Sequence, residues 1–227
     1  MKRKEFNENY FNKIDSEDKA YFLGFILADG SIVNKNNRYS LVININDKDI
    51  KVLKTFKEKI NYEGDIWYHK QRSNMCQIKV SSKILINDLS KYFIIPNKTN
   101  IVKYPEIPDE LQNHFIRGVF DGDGCISIHK ENREGCGVNR GQFNICSGSK
   151  EFIYEYVEKL IILVNVKRNK IINHNNRYYT IDWAGFTDIE NLYKFLYNNA
   201  TIYLDRKKKT FDEIYNISIN NKKYRKK

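Results

Sequence analysis

The sequence predicts an α+β fold made of two similar αββαββα repeats, a pseudo-dimer on one chain. Three observations carry this expectation. Tyr21-Phe-Leu-Gly-Phe-Ile-Leu-Ala-Asp-Gly-Ser-Ile32 aligns with Phe115-Ile-Arg-Gly-Val-Phe-Asp-Gly-Asp-Gly-Cys-Ile126 at an offset of 94 residues, with Gly24 over Gly118, Asp29 over Asp123 and Gly30 over Gly124. Such self-similarity marks an internal duplication. All three prolines, Pro96, Pro105 and Pro108, fall between the copies. Proline interrupts helices and central strands, so 101–110 is read as a linker between repeats 1–100 and 111–227. Finally, helix and strand signals follow each copy in the same order.

In the first repeat, residues 22–30 form an apolar helix that ends in Asp-Gly. A strand begins at Ile32. Ser40–Asn46 alternates, with Leu41, Ile43 and Ile45 on one face and Ser40, Val42, Asn44 and Asn46 on the other. Ile50, Leu53, Phe56 and Ile60 recur at helical spacing across Asp49–Ile60. Gly64 breaks the chain before strands Ile66–Gln71 and Met75–Val80, and a helix over Lys83–Phe93 closes the unit. The second repeat begins with helix 116–124. Strands Cys125–Lys130 and Gln142–Cys146, helix Lys150–Val164, strands Arg168–His174 and Tyr178–Trp183, and helix Asp188–Asn198 follow. Its first hairpin is longer, through Glu134-Gly-Cys-Gly137. Ile32, Ile126 and Ile128 are assigned to the core. The strand aromatics Trp67, Tyr68, Tyr179 and Trp183 are read as core residues before base-stacking platforms, but Trp67 and Tyr68 compete for one inner face, so the exposed face of Ile66–Gln71 is left open.

The 227 residues carry 39 Lys+Arg against 28 Asp+Glu, a net charge of +11. Both halves are basic: 19 against 15 over 1–113, and 20 against 13 over 114–227. A polyanionic partner is expected. With 30 Ile, 29 Lys and 28 Asn but 4 Ala, the composition has the mark of an AT-rich genome, so single surface Lys or Asn residues carry little weight. Apolar runs are far too short to span a bilayer. The N-terminus lacks the apolar stretch of a secretory signal, and an intracellular protein is expected. Cys76, Cys125, Cys136 and Cys146 form no C-x-x-C pair and read as free thiols.

The duplicated helix carries the chemistry. Gly24 and Ala28 are four apart, as are Gly118 and Gly122, and small residues at that interval let two helix backbones approach closely. Packed together, the helices would bring Asp29 and Asp123 side by side, with Gly30 and Gly124 expected in the left-handed conformation that ends a helix. A helix C-terminus already carries negative partial charge, so two carboxylates there call for a cation. Hard oxygen ligands suit Mg²⁺, and paired ions can promote phosphodiester hydrolysis.

The two dodecapeptides resemble the paired motifs of single-chain LAGLIDADG homing endonucleases, and with the parallel element order the resemblance spans residues 16 to 215. It implies two αββαββα repeats that meet at the motif helices, with antiparallel sheets forming a saddle on the DNA major groove. It further implies site-specific double-strand cleavage that leaves 3′ overhangs, by a monomer holding two or three Mg²⁺ ions. By position, Asp29 and Asp123 would be the catalytic metal ligands, with the carbonyls of Ala28 and Gly122 as further ligands. Ile95-Pro-Asn-Lys98-Thr resembles Leu204-Asp-Arg-Lys207-Lys, which nominates Lys98 and Lys207 as a symmetric basic catalytic pair. Leu27 and Arg117 depart from the motif, where an acid and a small residue are usual; Asp121 is assigned to helix-end structure.

Counting by twos from each aspartate puts Ser31, Val33, Lys35 and Asn37 on one face, and Cys125, Ser127, His129 and Arg133 on the other repeat's. Later strands add Ser40, Asn44, Asn46, Gln77 and Lys79, then Gln142, Asn144, Tyr178, Thr180 and Asp182. Polar side chains of these kinds can read base edges in a major groove. The runs Arg206–Lys209 and Lys222–Lys227 suit phosphates.

A calcium loop from Asp121 fails, because Cys125, Ile126 and Asn132 occupy the positions needing an oxygen ligand, Gly and Glu. The four histidines show no zinc spacing. Two rivals use the same scaffold: an RNA maturase acting on intron RNA, and a non-cleaving DNA-binding regulator. Retention of both aspartates argues against the second.

Overall fold

Helices α1 (Glu17–Asp29) and α4 (Gln112–Asp123) pack against each other at the centre of the protein. The reason lies in their glycines. A Cβ on Gly24 would sit 2.2 Å from the Phe115 carbonyl oxygen, and one on Gly118 would sit 2.1 Å from that of Tyr21. Backbone therefore meets backbone, and only glycine fits at either crossing point. Ala20 to Leu27 are all buried, as expected of a helix with apolar residues around its whole circumference.

The structure, a computed structural model, describes residues 4–36, 38–69, 74–133 and 136–225, with side chains described outside 130–139 and 220–225. The first repeat continues through β1 (Gly30–Lys35), β2 (Arg38–Asn46), α2 (Ile50–Lys59), β3 (Trp67–Tyr68), β4 (Met75–Val80) and α3 (Lys83–Ser90). The second has β5 (Gly124–Arg133), β6 (Cys136–Ser147), α5 (Lys150–Val164), β7 (Ile172–His174), β8 (Tyr178–Trp183) and α6 (Phe186–Tyr197). Each repeat forms a four-stranded antiparallel sheet, in the orders β1-β2-β4-β3 and β5-β6-β8-β7. The registers correspond: Gly30 pairs with Ile43 and Ile43 with Ile78, while Gly124 pairs with Ile145 and Ile145 with Ile181. The α+β class and the duplicated element order are as expected.

Local chemistry sets the element ends. The Ser82 and Ser149 hydroxyls accept from Leu85 N at 3.2 Å and Phe152 N at 3.3 Å, capping α3 and α5. Helix α3 stops at Ser90, short of the expected Phe93, because Phe93 takes a φ of 62° and Ile94 N–H returns to Leu89 O. Trp183 and Tyr179 are core aromatics, whereas Trp67 and Tyr68 are exposed, contrary to expectation. They lie on a two-residue edge strand, where Trp67 shares the polar face with Gln77 and Tyr68 sits at the rim of a groove beside Ile50 and Lys54 of α2. Ile128 has the expected core parity but lies beyond the core's edge and is exposed.

An unanticipated helix, α7 (Asp205–Arg225), has no counterpart in the first repeat. Its narrow apolar stripe is diluted by Lys and Asn, yet Phe211, Ile214 and Ser218 are fully buried. Ile214 occupies the space that a side chain at Gly141 would take, 2.0 Å from a Cβ built there.

Arg117, where the motif usually has a small residue, is wholly buried. Its guanidinium donates to the Ile202 and Leu196 carbonyls and to Glu17 Oε1, each at 2.8 Å. Glu17 also accepts from Thr201 N–H at 2.7 Å. The side chain thus ties the start of α1 to the segment between α6 and α7.

Two outcomes follow. Gly24→Ala or Gly118→Ala forces side chain onto backbone and should cost about 3 kcal/mol or more, the upper end for overpacking, measured by urea unfolding. Arg117→Ala leaves the Leu196 and Ile202 carbonyls without their donor and takes the cation from half-buried Glu17, which keeps its bonds to Thr201; a loss of about 3 kcal/mol is expected in the same assay, the lower end for one partner removed from a buried ion pair.

Candidate active site

Asp29 and Asp123 are the last residues of α1 and α4, and each is followed directly by a strand. The following glycines are not left-handed as expected. Gly30 has φ −80°, ψ 149° and Gly124 φ −83°, ψ 160°, both extended. Glycine is required there for space, since a Cβ would lie 2.5 Å from Ile26 O at Gly30 and 2.6 Å from Phe120 O at Gly124. The chain passes from helix to strand without a loop.

The helix ends touch. A Cβ on Gly122 would come within 2.3 Å of Ala28 Cβ and 3.5 Å of Asp29 Oδ2, so the Asp29 carboxylate lies against the other repeat's motif. Both aspartates reach solvent, yet the protein packed around them removes enough water to raise both pKa values. For Asp29, burial and then the charge of Asp123 push it from 3.8 to about 6, while Lys207 and Lys98 oppose the rise.

Lys98 and Lys207 are brought to this point, both buried. Lys98 lies in a single 3₁₀ turn and donates to Gly30 O at 2.6 Å. Lys207, in the first turn of α7, donates to Phe120 O and Asp121 O at 2.7 Å and to Gly124 O at 2.5 Å, with Gly122 O at 3.4 Å. Lys207 therefore neutralises the carbonyl end of α4, and Lys98 binds the first carbonyl beyond α1. Burial lowers both lysine pKa values, and nearby aspartates counter it: Asp123 and Asp29 at Lys98, Asp121 and Asp29 at Lys207. Asp121 is buried and accepts from Tyr21 Oη at 2.8 Å and Leu204 N at 2.9 Å, which joins α1, α4 and the start of α7. That is a structural position.

The donor set suits a hard divalent cation. Two carboxylates converge with the Ala28 and Gly122 carbonyls at hand, and their mutual repulsion would be relieved by positive charge. Among the described residues no three His, Cys, Asp or Glu side chains cluster as a closed metal site. Water and substrate oxygens would therefore have to complete the shell.

Directly paired residues of antiparallel strands share a face, and the pairings define one polar face per sheet. On the first, Ser31, Val33 and Lys35 are exposed on β1, Asn44 and Asn46 on β2, with Gln77 and Lys79 on β4. Ser40 has the right parity but is buried and bonded to Ser81 Oγ at 2.7 Å. Asn46 accepts from Lys48 N at 3.1 Å, closing the turn after β2. His69 adds a contact that the sequence reading missed, Nε2 to Asn44 Oδ1 at 3.1 Å. Only its alternation from Trp67 could have signalled it.

On the second face, Cys125, Ser127 and His129 line up with Gln142, Asn144, Asp182, Thr180 and Tyr178. Ser127 Oγ and His129 Nε2 are 2.9 Å apart, Thr180 Oγ1 meets His174 Nε2 at 2.9 Å, and Asn144 donates to Ile181 O at 3.2 Å. Asn37 lies outside the described residues, as does the Arg133 side chain; the backbone of Arg133 ends β5. Among the described residues, no helix is long and apolar enough to cross a membrane, and Cys76, Cys125 and Cys146 are free.

No protein-family model matches the chain. Two curated proteins of Methanocaldococcus jannaschii are similar: a probable translation initiation factor IF-2, 26% identical over 224 residues, and the uncharacterized protein MJ0314, 25% identical over 183. These alignments cover 90% and 76% of this chain but only 16% and 64% of those proteins. Solved structures agree more extensively. The LAGLIDADG homing endonuclease I-LtrWI bound to target DNA is 17% identical with a TM-score of 0.63, covering 94% of this chain and 92% of that one. I-GzeII in complex with its DNA target is 16% identical with a TM-score of 0.65, over 90% and 92%. I-SmaMI bound to uncleaved DNA in the presence of calcium ions is 16% identical with a TM-score of 0.66, over 89% and 92%. With paired acidic helix ends between two four-stranded sheets on one chain, this protein has the LAGLIDADG homing endonuclease fold.

Proposed function

We propose that the protein is a site-specific double-strand DNA endonuclease, active as an intracellular monomer, that hydrolyses phosphodiesters with Mg²⁺ and leaves staggered 3′ overhangs. One observation carries the reading: a carboxylate from each repeat stands at touching helix ends, with a buried lysine beside each, Lys98 on the Gly30 carbonyl and Lys207 on those of Phe120 and Asp121. The DNA-bound state of the solved neighbours, and the calcium in one of them, support it.

Asp29 and Asp123, with the Ala28 and Gly122 carbonyls, would hold two or three ions. Bound Mg²⁺ supplies polarisation of the phosphate, an acidified water and stabilisation of the leaving oxygen. The chain's own groups prepare that place. Lys98 and Lys207 offset the negative helix ends and help the carboxylates stay ionised near neutral pH. The basic surface holds the duplex backbone, and the two polar sheet faces address base edges in the major groove.

Incubation with Mg²⁺ and DNA spanning the insertion site of the protein's own gene should give staggered double-strand cuts, and EDTA should abolish them. Asp29→Asn should lower cleavage by about a thousandfold or more, the scale of losing a principal electrostatic stabiliser, while gel-shift binding persists. Binding without cutting under every divalent metal would replace the endonuclease with a non-cleaving regulator.

The same substitution has a second readout in EDTA. An acid whose folded pKa is raised from 3.8 to about 6 makes the folded state the better proton binder, so its contribution to stability falls as pH rises between those values. Asn removes that penalty. Because solvent screens an accessible carboxylate, the gain at pH 8 should be about 1 kcal/mol, or about 2–4 °C in Tm. It should vanish toward pH 4, as calorimetry across pH would test.

A further inference from the structure

Two large apolar side chains stand exposed at equivalent places in the two repeats. Trp67 on β3 is 58% exposed and Ile172 on β7 is 47% exposed. Trp67 pairs with Gln77, one residue before Ile78; Ile172 pairs with Thr180, one residue before Ile181. Ile78 and Ile181 hold the same register in their sheets, opposite Ile43 and Ile145. The duplication therefore superposes Trp67 on Ile172, each on the outermost strand and on the face bearing that repeat's polar residues.

A lone exposed apolar residue needs no explanation. A pair retained at one register position in diverged repeats does, because an apolar side chain on an edge strand invites aggregation. Their neighbours differ. Tyr68, one residue on, has Asn173 as its equivalent, and Val33 has Ser127, so neither apolar position is duplicated. Around Trp67 the face presents Gln77, Asn44 and Lys79, and around Ile172 it presents Thr180 and the ring of His174 stacked on Tyr178 at 4.3 Å. An apolar point set among hydrogen-bonding groups and a lysine matches a major-groove edge, where the apolar feature of a base pair is the thymine methyl group.

Resting on the DNA reading above, we infer that Trp67 and Ile172 are a symmetric pair of specificity residues that contact thymine 5-methyl groups, one toward the outer end of each half-site. A randomised duplex library selected by binding to the protein supplies the probe. Thymine should be enriched at two positions, one per half-site. Trp67→Ala should relax one position only, and Ile172→Ala only the other.

The selected duplex, resynthesised with deoxyuridine at the Trp67 position, should bind the parent about fourfold more weakly, the worth of one methyl group removed from water. The same replacement should leave the binding of Trp67→Ala unchanged. Equal uracil costs in parent and variant, or selections unaltered by either substitution, would overturn the assignment while leaving the DNA reading intact. A library with no enrichment would overturn both. Sedimentation showing a dimer that Trp67→Ala dissociates would assign the position to self-association instead. Both side chains are exposed, so unchanged far-UV circular dichroism is expected for the variants, and Trp67→Gln provides a polar replacement of intermediate size.

Discussion

The close approach of α1 and α4 at Gly24 and Gly118 is the constraint on which the rest of the protein depends. Each glycine admits the partner's backbone carbonyl, so neither helix can rotate or slide without collision. That contact decides where the helices end relative to each other. Because no loop separates α1 from β1 or α4 from β5, it also decides where both sheets begin. The side chain crowded against Gly122 is Ala28, with Asp29 next to it in ordinary contact, so the spacing that packs the helices also sets the distance between repeats at the acidic centre.

Such a centre is electrostatically costly. Two helix C-termini and two partly desolvated carboxylates concentrate negative charge. The protein answers with lysines that point at carbonyl oxygens, which leaves the carboxylates accessible. A direct Lys–Asp bond would have depressed the aspartate pKa and occupied its oxygens. The Asp29 carboxyl is still held above the usual carboxylate range, so the lysines offset only part of the burial and of the Asp123 charge, and on the proposed reading a bound cation supplies the rest.

Much of this was legible because it rests on short-range pattern. The duplicated dodecapeptide encoded the helix pair, and strand alternation separated Leu41, Ile43 and Ile45 from Asn44 and Asn46 with the correct parity. What escaped was decided by tertiary context. Among the described side chains of α7, Phe211, Ile214 and Ser218 follow Lys207 as its buried stripe, too sparse in apolar residues to stand out from a Lys- and Asn-rich background. Gly30 and Gly124 were expected to be left-handed because Asp-Gly after a helix often is; their actual reason, collision with Ile26 and Phe120, depends on the strand that follows. Ser40 met the alternation rule and was still lost to burial against Ser81, a residue 41 positions away. The choice between Trp67 and Tyr68 is not legible because two adjacent aromatics fit the inner face equally well; the register puts Trp67 opposite Gln77 on the polar face, and β3 is too short for Tyr68 to reach under the core.

Helix α7 also shows how two repeats on one chain diverge. It crosses back to the first repeat, where Arg206 donates to Asp49 at 2.9 Å and Asp205 receives Lys51 at 2.9 Å. Lys207 thereby gains three close carbonyls, whereas Lys98, held in a 3₁₀ turn, has one. A symmetric dimer of identical subunits could not support this difference, since any change would appear twice. Fusion removes that restriction and lets the two polar faces carry different residues, Asn44 and Gln77 on one and Asn144 and Thr180 on the other. On the proposed reading, the duplex that fits these faces need not have a two-fold symmetric sequence. The repeats keep the same residue at the glycines that hold the helices together, at Asp29 and Asp123, and at core positions such as Ile43 and Ile145, and differ on the exposed polar faces.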